Sequence, residues 1–229
     1  MNNPLYIIIG AYGSGKSEFS IHLAQDLNRQ GYKVALADMD VVNPYFRSRD
    51  VQDKFAKLGI EVIAPEGQFK HADLPMISPR IKGAIEDAAN TVILDVGGDP
   101  AGCRTLGRFV DAVNNRGYEM LFVVNTYRPF TSSVEEILQM QNQLEFASKL
   151  KITEYICNNN LMEYTTAEVV EQGISILSEC ARITGLPFNR YLALDEYADR
   201  VPADLGGKQR LLMTYTLRKP WEGLIGKGL

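Results

Sequence analysis

Short apolar runs rich in β-branched residues recur along the chain at Leu5–Ile9, Lys33–Ala37, Glu61–Ile63, Thr91–Leu94, Met120–Val124, Ile152–Cys157 and Tyr191–Leu194. Most are separated by stretches with apolar positions at helical spacing, and that alternation predicts an α/β fold, a mostly parallel sheet with crossover helices on both faces. The first helix is expected from about Gly15 to Asn28, with Phe19, Leu23 and Leu27 on one face and Gly31 as its stop. Two later helices carry the S/T-x-x-E start signature, Ser132 with Glu135 and Thr165 with Glu168; the second continues through Val170, Ile174, Leu177 and Ala181 to Gly185 and Pro187. No internal repeat or dividing linker interrupts this order, so residues 1–229 read as a single domain. The longest irregular stretch, 65–79, contains His71, Asp73, Leu74 and Met76 and reads equally as a binding loop or a plain connection.

Composition narrows the function classes. A chain of 229 residues with 45% hydrophobic content is long enough to bury a large core. Its net charge of −4 and pI near 5.3 give no basic field for nucleic acid. No run is long enough to span a membrane and no leader precedes the first strand, so the cytoplasm is the expected location. Cys103, Cys157 and Cys180 are odd in number and lack C-x-x-C spacing, which suggests neither a disulfide framework nor a metal site within one chain. Cys103 alone falls in a candidate functional loop, where a plain small side chain is the expected role.

The chemistry concentrates just after the first strand. Gly10-Ala11-Tyr12-Gly13-Ser14-Gly15-Lys16-Ser17 fits G-x-x-x-x-G-K-[ST] between an apolar run and an amphipathic helix, the context a phosphate-binding loop requires. The chain must turn so that several backbone N–H groups point at one polyphosphate, and Gly10, Gly13 and Gly15 permit that approach, with Ser14 between them. Lys16 is then expected to reach the β- and γ-phosphates and the Ser17 hydroxyl to bind Mg²⁺.

Phosphoryl chemistry also needs carboxylates opposite the loop to hold the cation. Thr91-Val92-Ile93-Leu94-Asp95 ends an apolar strand in one, and Asp95-x-x-Gly98 has the form of a Mg²⁺ ligand followed by a backbone amide that senses the γ-phosphate. Asp38 and Asp40 flank one residue past the second strand, where an extended backbone points both the same way. One is suited to the cation's water shell and the other to orienting the attacking water.

Gly10–Ser17, Asp38-x-Asp40, Asp95-x-x-Gly98 and Ile156-Cys157-Asn158-Asn159 together resemble the P-loop class that contains MinD, ParA, the nitrogenase iron protein and the CobQ/CobB proteins. The resemblance runs from the first strand to the region of Pro202. It implies the three-layer P-loop NTPase fold, with Asp38 and Asp40 in one switch loop and Asp95 to Gly98 in another. It further implies Asp40 as the water-orienting residue, Asp38 behind the Mg²⁺, and Asn158 as the residue that hydrogen-bonds adenine. The early lysine of K-G-G-x-G-K, which in the MinD and ParA branch reaches the facing subunit, is Ala11 here; Arg47 and Arg49 are candidates to replace its charge. No N-K-x-D pattern for guanine occurs, which favours ATP. The implied activity is a slow Mg·ATP-dependent ATPase switch read by a partner protein, possible also as a nucleotide-dependent homodimer; the alternative is a small-molecule kinase or ligase like dethiobiotin synthetase or CobB, with Asn125 to Pro129 helping to hold the acceptor. The basic and aromatic segment 217–229 is expected to pack on the body or a partner, because Pro220 and three glycines oppose a membrane helix.

Overall fold

The computed structural model describes residues 3–40, 49–64 and 80–217, the side chains of 49–51 excepted. Arg47, the Arg49 side chain, the 65–79 segment with His71, Asp73, Leu74 and Met76, and the chain beyond Leu217 lie outside the described residues.

Among the described residues, nine strands form one sheet in the order β3-β2-β4-β1-β5-β6-β7-β9-β8. Their ranges are β1 Leu5–Ile9, β2 Val34–Met39, β3 Glu61–Ile63, β4 Thr91–Val96, β5 Glu119–Val124, β6 Glu154–Cys157, β7 Phe188–Leu194, β8 Asp204–Leu205 and β9 Lys208–Met213. Every pairing is parallel except β8 with β9. The helices are α1 Lys16–Arg29, α2 Arg49–Lys57, α3 Arg80–Glu86, α4 Pro100–Cys103, α5 Val110–Arg116, α6 Val134–Ser148 and α7 Ala167–Thr184.

Central strands are buried on both sides because crossover helices cover both faces. Leu5, Ile7 and Ile9 pack toward Ile85 of α3, Val113 of α5, Ile137 and Leu144 of α6, and Val170 and Leu177 of α7. Ile8, Leu36 and Ile93 pack on the opposite face against Phe19, Ile21, Ala24 and Leu27 of α1 and Phe55 of α2. The three-layer α/β architecture expected from the sequence is the one observed.

The strand order also fixes where a ligand can sit. β1 lies between β4 and β5, so the chain leaving β1 through α1 must pass over β4 to reach β2. The chain leaving β4 comes back on the other side of β1. Connections therefore diverge at the carboxyl ends of β1 and β4, the crevice in which open α/β sheets bind ligands.

Two helix starts fall one residue later than their signatures suggested. Ser133, not Ser132, caps α6 by accepting from Glu136 N, while Ser132 N and Oγ both donate to the Glu136 carboxylate at 2.8 and 2.7 Å. Thr166 caps α7, because Thr165 is already engaged with Leu161 N and Asn160 Oδ1. β8 and β9 were not expected, since Lys208-Gln209-Arg210 opens β9 with polar residues; Gly206-Gly207, both at positive φ, was the available hairpin signal.

At the opposite end of the sheet, Arg116 holds several loop ends together. Its Nη1 donates to the carbonyls of Ala84, Ile85 and Asp87, and its Nη2 to those of Asn3, Pro4 and Asn90. Arg116→Ala leaves these carbonyls without that donor and is expected to lower stability by about 2 kcal/mol, or roughly 4–8 °C in Tm, in a thermal melt. Equilibrium binding at the far end of the sheet should be unchanged.

Candidate functional site

The loop between β1 and α1 closes through Ser14 N donating to Ala11 O at 3.1 Å, and Gly10 and Gly13 lie within it. Gly15 is the N-cap of α1, at φ 86°, and no side chain among the described residues caps the helix. The first amides of α1 therefore face the crevice unsatisfied by protein side chains, carrying the positive end of the helix dipole. A Cβ at Gly15 would overlap Asn158 Nδ2, so both the left-handed backbone and the close approach demand glycine.

Charged groups are buried around this opening. Lys16 and Asp40 are each 5% exposed, and Lys16 Nζ lies 3.8 Å from Asp40 Oδ2. Asp40 follows the end of β2, and its N–H donates to Asp38 Oδ1 at 3.0 Å. Asp38 is set back within β2, in register with Asp95 of β4. Asp95 is fully enclosed and accepts from Ser20 Oγ at 3.1 Å. Burial pushes its carboxyl up to about 6, against the opposing influence of Lys16 and the Ser20 hydroxyl; the charge of Asp40 adds to the rise. Burial also raises Glu18, although its carboxylate accepts from Leu217 N at 2.6 Å and from Thr216 N.

The loop after β4 rests on the phosphate-loop residues. A Cβ at Gly98 would come within 2.9 Å of Tyr12 N and 3.1 Å of Lys16 Nζ. Asp99 caps α4 by accepting from Gly102 N at 2.5 Å, which links the conformation of this loop to the helix after it.

The loop after β6 consists of clamps. Asn158 Nδ2 donates to Ser14 O at 2.7 Å, tying β6 to the loop of β1. Asn159 accepts from Thr126 N and donates to Thr126 Oγ1 and Val169 O. Sequence reasoning assigned only Asn158 a site role and missed this bracing by its neighbour; the Asn158-Asn159-Asn160 run was the visible signal.

Among the described residues, seven buried side-chain polar atoms lack a hydrogen-bond partner, and four of them meet here: Ser14 Oγ, Ser17 Oγ, Asp95 Oδ2 and Asn158 Oδ1. Buried polar atoms are nearly always partnered, so such a cluster marks a place shaped for a ligand. Ser17 Oγ and Asp95 Oδ2 are hard oxygen donors suited to Mg²⁺, and the residues present fit that cation. A cleft of about 730 Å³ opens beside them, lined by Lys16, Ser17 and Asp40 among others. Leu161, Met162, Leu194, Met213, Tyr215 and Leu217 give it an apolar wall. Glycines and carboxylates gave the sequence no hint of this wall, because its residues come from three separate segments.

Cys103 does not reach the cleft; it is fully buried, and burial raises its thiol to about 12. Cys157 and Cys180 are buried as well. No cluster of His, Cys, Asp and Glu able to hold a metal occurs among the described residues. His22 bonds Asp26 within α1, and burial lowers its pKa. Among the described residues, no helix is long and apolar enough to cross a membrane.

No curated protein sequence matches the chain. Solved structures similar to it include the cell division protein FtsY from Thermotoga maritima, at 19% identity and TM-score 0.53, covering 83% of this chain and 62% of that one. Chloroplast FtsY from Physcomitrella patens matches at 17% identity and TM-score 0.57, covering 83% and 58%. The signal recognition particle 54 kDa protein from Aeropyrum pernix K1, solved with GDP, matches at 19% identity and TM-score 0.55, covering 82% and 41%. The chain thus spans about three fifths or less of the length of these structures, and at such identities the likeness is one of fold. The family model CbiA, described as the CobQ/CobB/MinD/ParA nucleotide binding domain, matches residues 5–170, from β1 into α7. With most of the chain inside that match and the loop, carboxylates and Asn158 gathered at one crevice, the protein belongs to the CobQ/CobB/MinD/ParA nucleotide-binding family.

Proposed function

We propose that the protein is a Mg²⁺-dependent ATP-binding protein of the cytoplasm that hydrolyses ATP slowly and signals its nucleotide state to a partner protein. The observation that carries this reading is the convergence of an uncapped helix N-terminus, Lys16, and the unpartnered Ser17 Oγ and Asp95 Oδ2 at one crevice. The α1 amides and Lys16 bind the phosphates. Ser17 and Asp95 hold Mg²⁺, with Asp38 behind Asp95, and the cation supplies charge neutralisation on the phosphate oxygens. Asp40 orients the attacking water once a phosphate relieves it of Lys16. Gly98 lies against Tyr12 and Lys16, so a γ-phosphate bound there is felt by the loop and, through Asp99, by α4, which packs on α6. A partner reading α4 and α6 would distinguish the two nucleotide states.

Adenine is supported by the polarity of Asn158. Ser14 O can only accept, which fixes Nδ2 against it and leaves Oδ1 as the unpartnered atom. That acceptor calls for a donor, which adenine provides in its C6 amine, at the position where guanine carries a carbonyl. The GDP of the Aeropyrum structure belongs to that protein.

The purified protein should hydrolyse ATP slowly with Mg²⁺, and Lys16→Ala should reduce turnover by at least about a hundredfold. GTP at the same concentration should be hydrolysed roughly tenfold less well, reflecting the mismatch at Asn158 Oδ1. Turnover that persists in Lys16→Ala, or equal use of GTP, would contradict the reading. Protonation of Asp95 competes with the cation as pH falls through about 6. Mg²⁺ affinity in the presence of ADP is therefore expected to be about tenfold weaker at pH 5 than at pH 7.5 by calorimetry, an order set by one pH unit below that pKa.

A further inference from the structure

Lys16 is not the only cation beside the phosphate loop. Arg128, in the connection from β5 to α6, donates from Nε to Gly13 O at 3.0 Å. Its side chain lies along the loop so closely that a Cβ at Gly13 would meet Arg128 Nε at 3.3 Å and Cζ at 3.5 Å. It is exposed to solvent and lines the same cleft as Lys16, Ser17 and Asp40. Among the described residues, its Nη groups donate to no protein acceptor.

The connection that carries it is braced from several sides. Arg128 N and Thr131 Oγ1 both donate to Asn125 O, at 3.1 and 2.9 Å, and Tyr127 N donates to Asn125 Oδ1 at 2.9 Å. Thr126 is gripped by Asn159, and Tyr127 Oη donates to Gln172 of α7 at 2.6 Å. Phe130 takes φ 67°, a left-handed conformation uncommon for an aromatic residue, within the same turn. An arginine that served only as a solvated surface charge would not need such a mount. One Nε bond to the loop crest pins the planar head in place and leaves its outer fork to face whatever the loop holds.

We propose that Arg128 is an arginine finger supplied in cis, placed to neutralise charge at the β–γ bridging oxygen and γ-phosphate during hydrolysis. The proposal rests on the nucleotide reading of the cleft. In that reaction the water oxygen bonds to the γ-phosphorus and the bond from phosphorus to the bridging oxygen breaks, its electron pair leaving on ADP. One water proton stays on the phosphate product and the other passes to solvent. Arg128 adds its charge where negative charge moves onto the bridging oxygen, a service worth more in the transition state than in the ground state.

The test compares wild type, Arg128→Ala and Arg128→Lys for binding of ADP alone and of ADP with aluminium fluoride and Mg²⁺, which imitates the transferring phosphoryl group. Both variants should bind ADP within about threefold of wild type while losing affinity for the fluoride complex by at least about tenfold, with kcat falling and KM nearly constant. Arg128→Lys keeps the charge without the planar fork, so a folded Lys variant that fails to capture fluoride isolates the guanidinium geometry. Equal losses for ADP and the fluoride complex would make Arg128 a brace for Gly13 and overturn the proposal. Unchanged capture would overturn it too, as would a wild-type protein that binds ADP but neither hydrolyses ATP nor captures fluoride. A wild-type protein that binds no nucleotide would instead overturn the reading of the cleft on which the proposal stands.

Discussion

The N-terminus of α1 ends on a left-handed glycine that no side chain among the described residues caps, and the surrounding structure depends on that opening. Helix ends are normally satisfied by a side chain, by water or by a ligand. Here Gly15 cannot supply one, and Asn158 presses against it from below, using its amide to hold Ser14 O. The dipole of α1 is thus aimed into a crevice that the strand order had already created between β1 and β4.

A second consequence is electrostatic. Lys16, Asp40 and Asp95 sit together in a region with little solvent, which raises the cost of ionising Asp95 and keeps its pKa high. Lys16 lies near Asp40 at a distance too long for a tight ion pair, 3.8 Å. Such an arrangement is held by the sheet, since Asp38 and Asp95 occupy paired positions on adjacent strands and Ser20 reaches Asp95 from the next turn of α1. A polyphosphate would add negative charge beside Lys16, and a divalent cation would add positive charge beside Asp95.

Periodicity made the sheet and its helices legible because central strands, buried on both faces, read as continuous apolar runs. The same logic hid β9, which lies near the sheet edge and is half-exposed, so its sequence Lys208-Gln209-Arg210 does not look like a strand until it is paired with β7. Helix starts were off by one residue because Ser132-Ser133 and Thr165-Thr166 offer two candidate caps each, and the side-chain bonds of Thr165 to Leu161 and Asn160 and of Glu136 to Ser132 decide between them. At the site, the phosphate loop and the strand-end carboxylates were visible as spacing. The Gly13 contact of Arg128 and the apolar wall from Leu161 to Leu217 were not, because they join segments more than a hundred residues apart from the loop they serve.

The central claim, that this end of the sheet is built for a magnesium-bound adenosine triphosphate, is tested most directly by calorimetric titration with a non-hydrolysable ATP analogue, with Mg²⁺ and again with EDTA. The account predicts saturable binding of one nucleotide per chain that weakens by about tenfold or more when the cation is removed, since Ser17 and Asp95 then lose the ion that bridges them to the phosphates. Absence of binding, or binding indifferent to Mg²⁺, would contradict it.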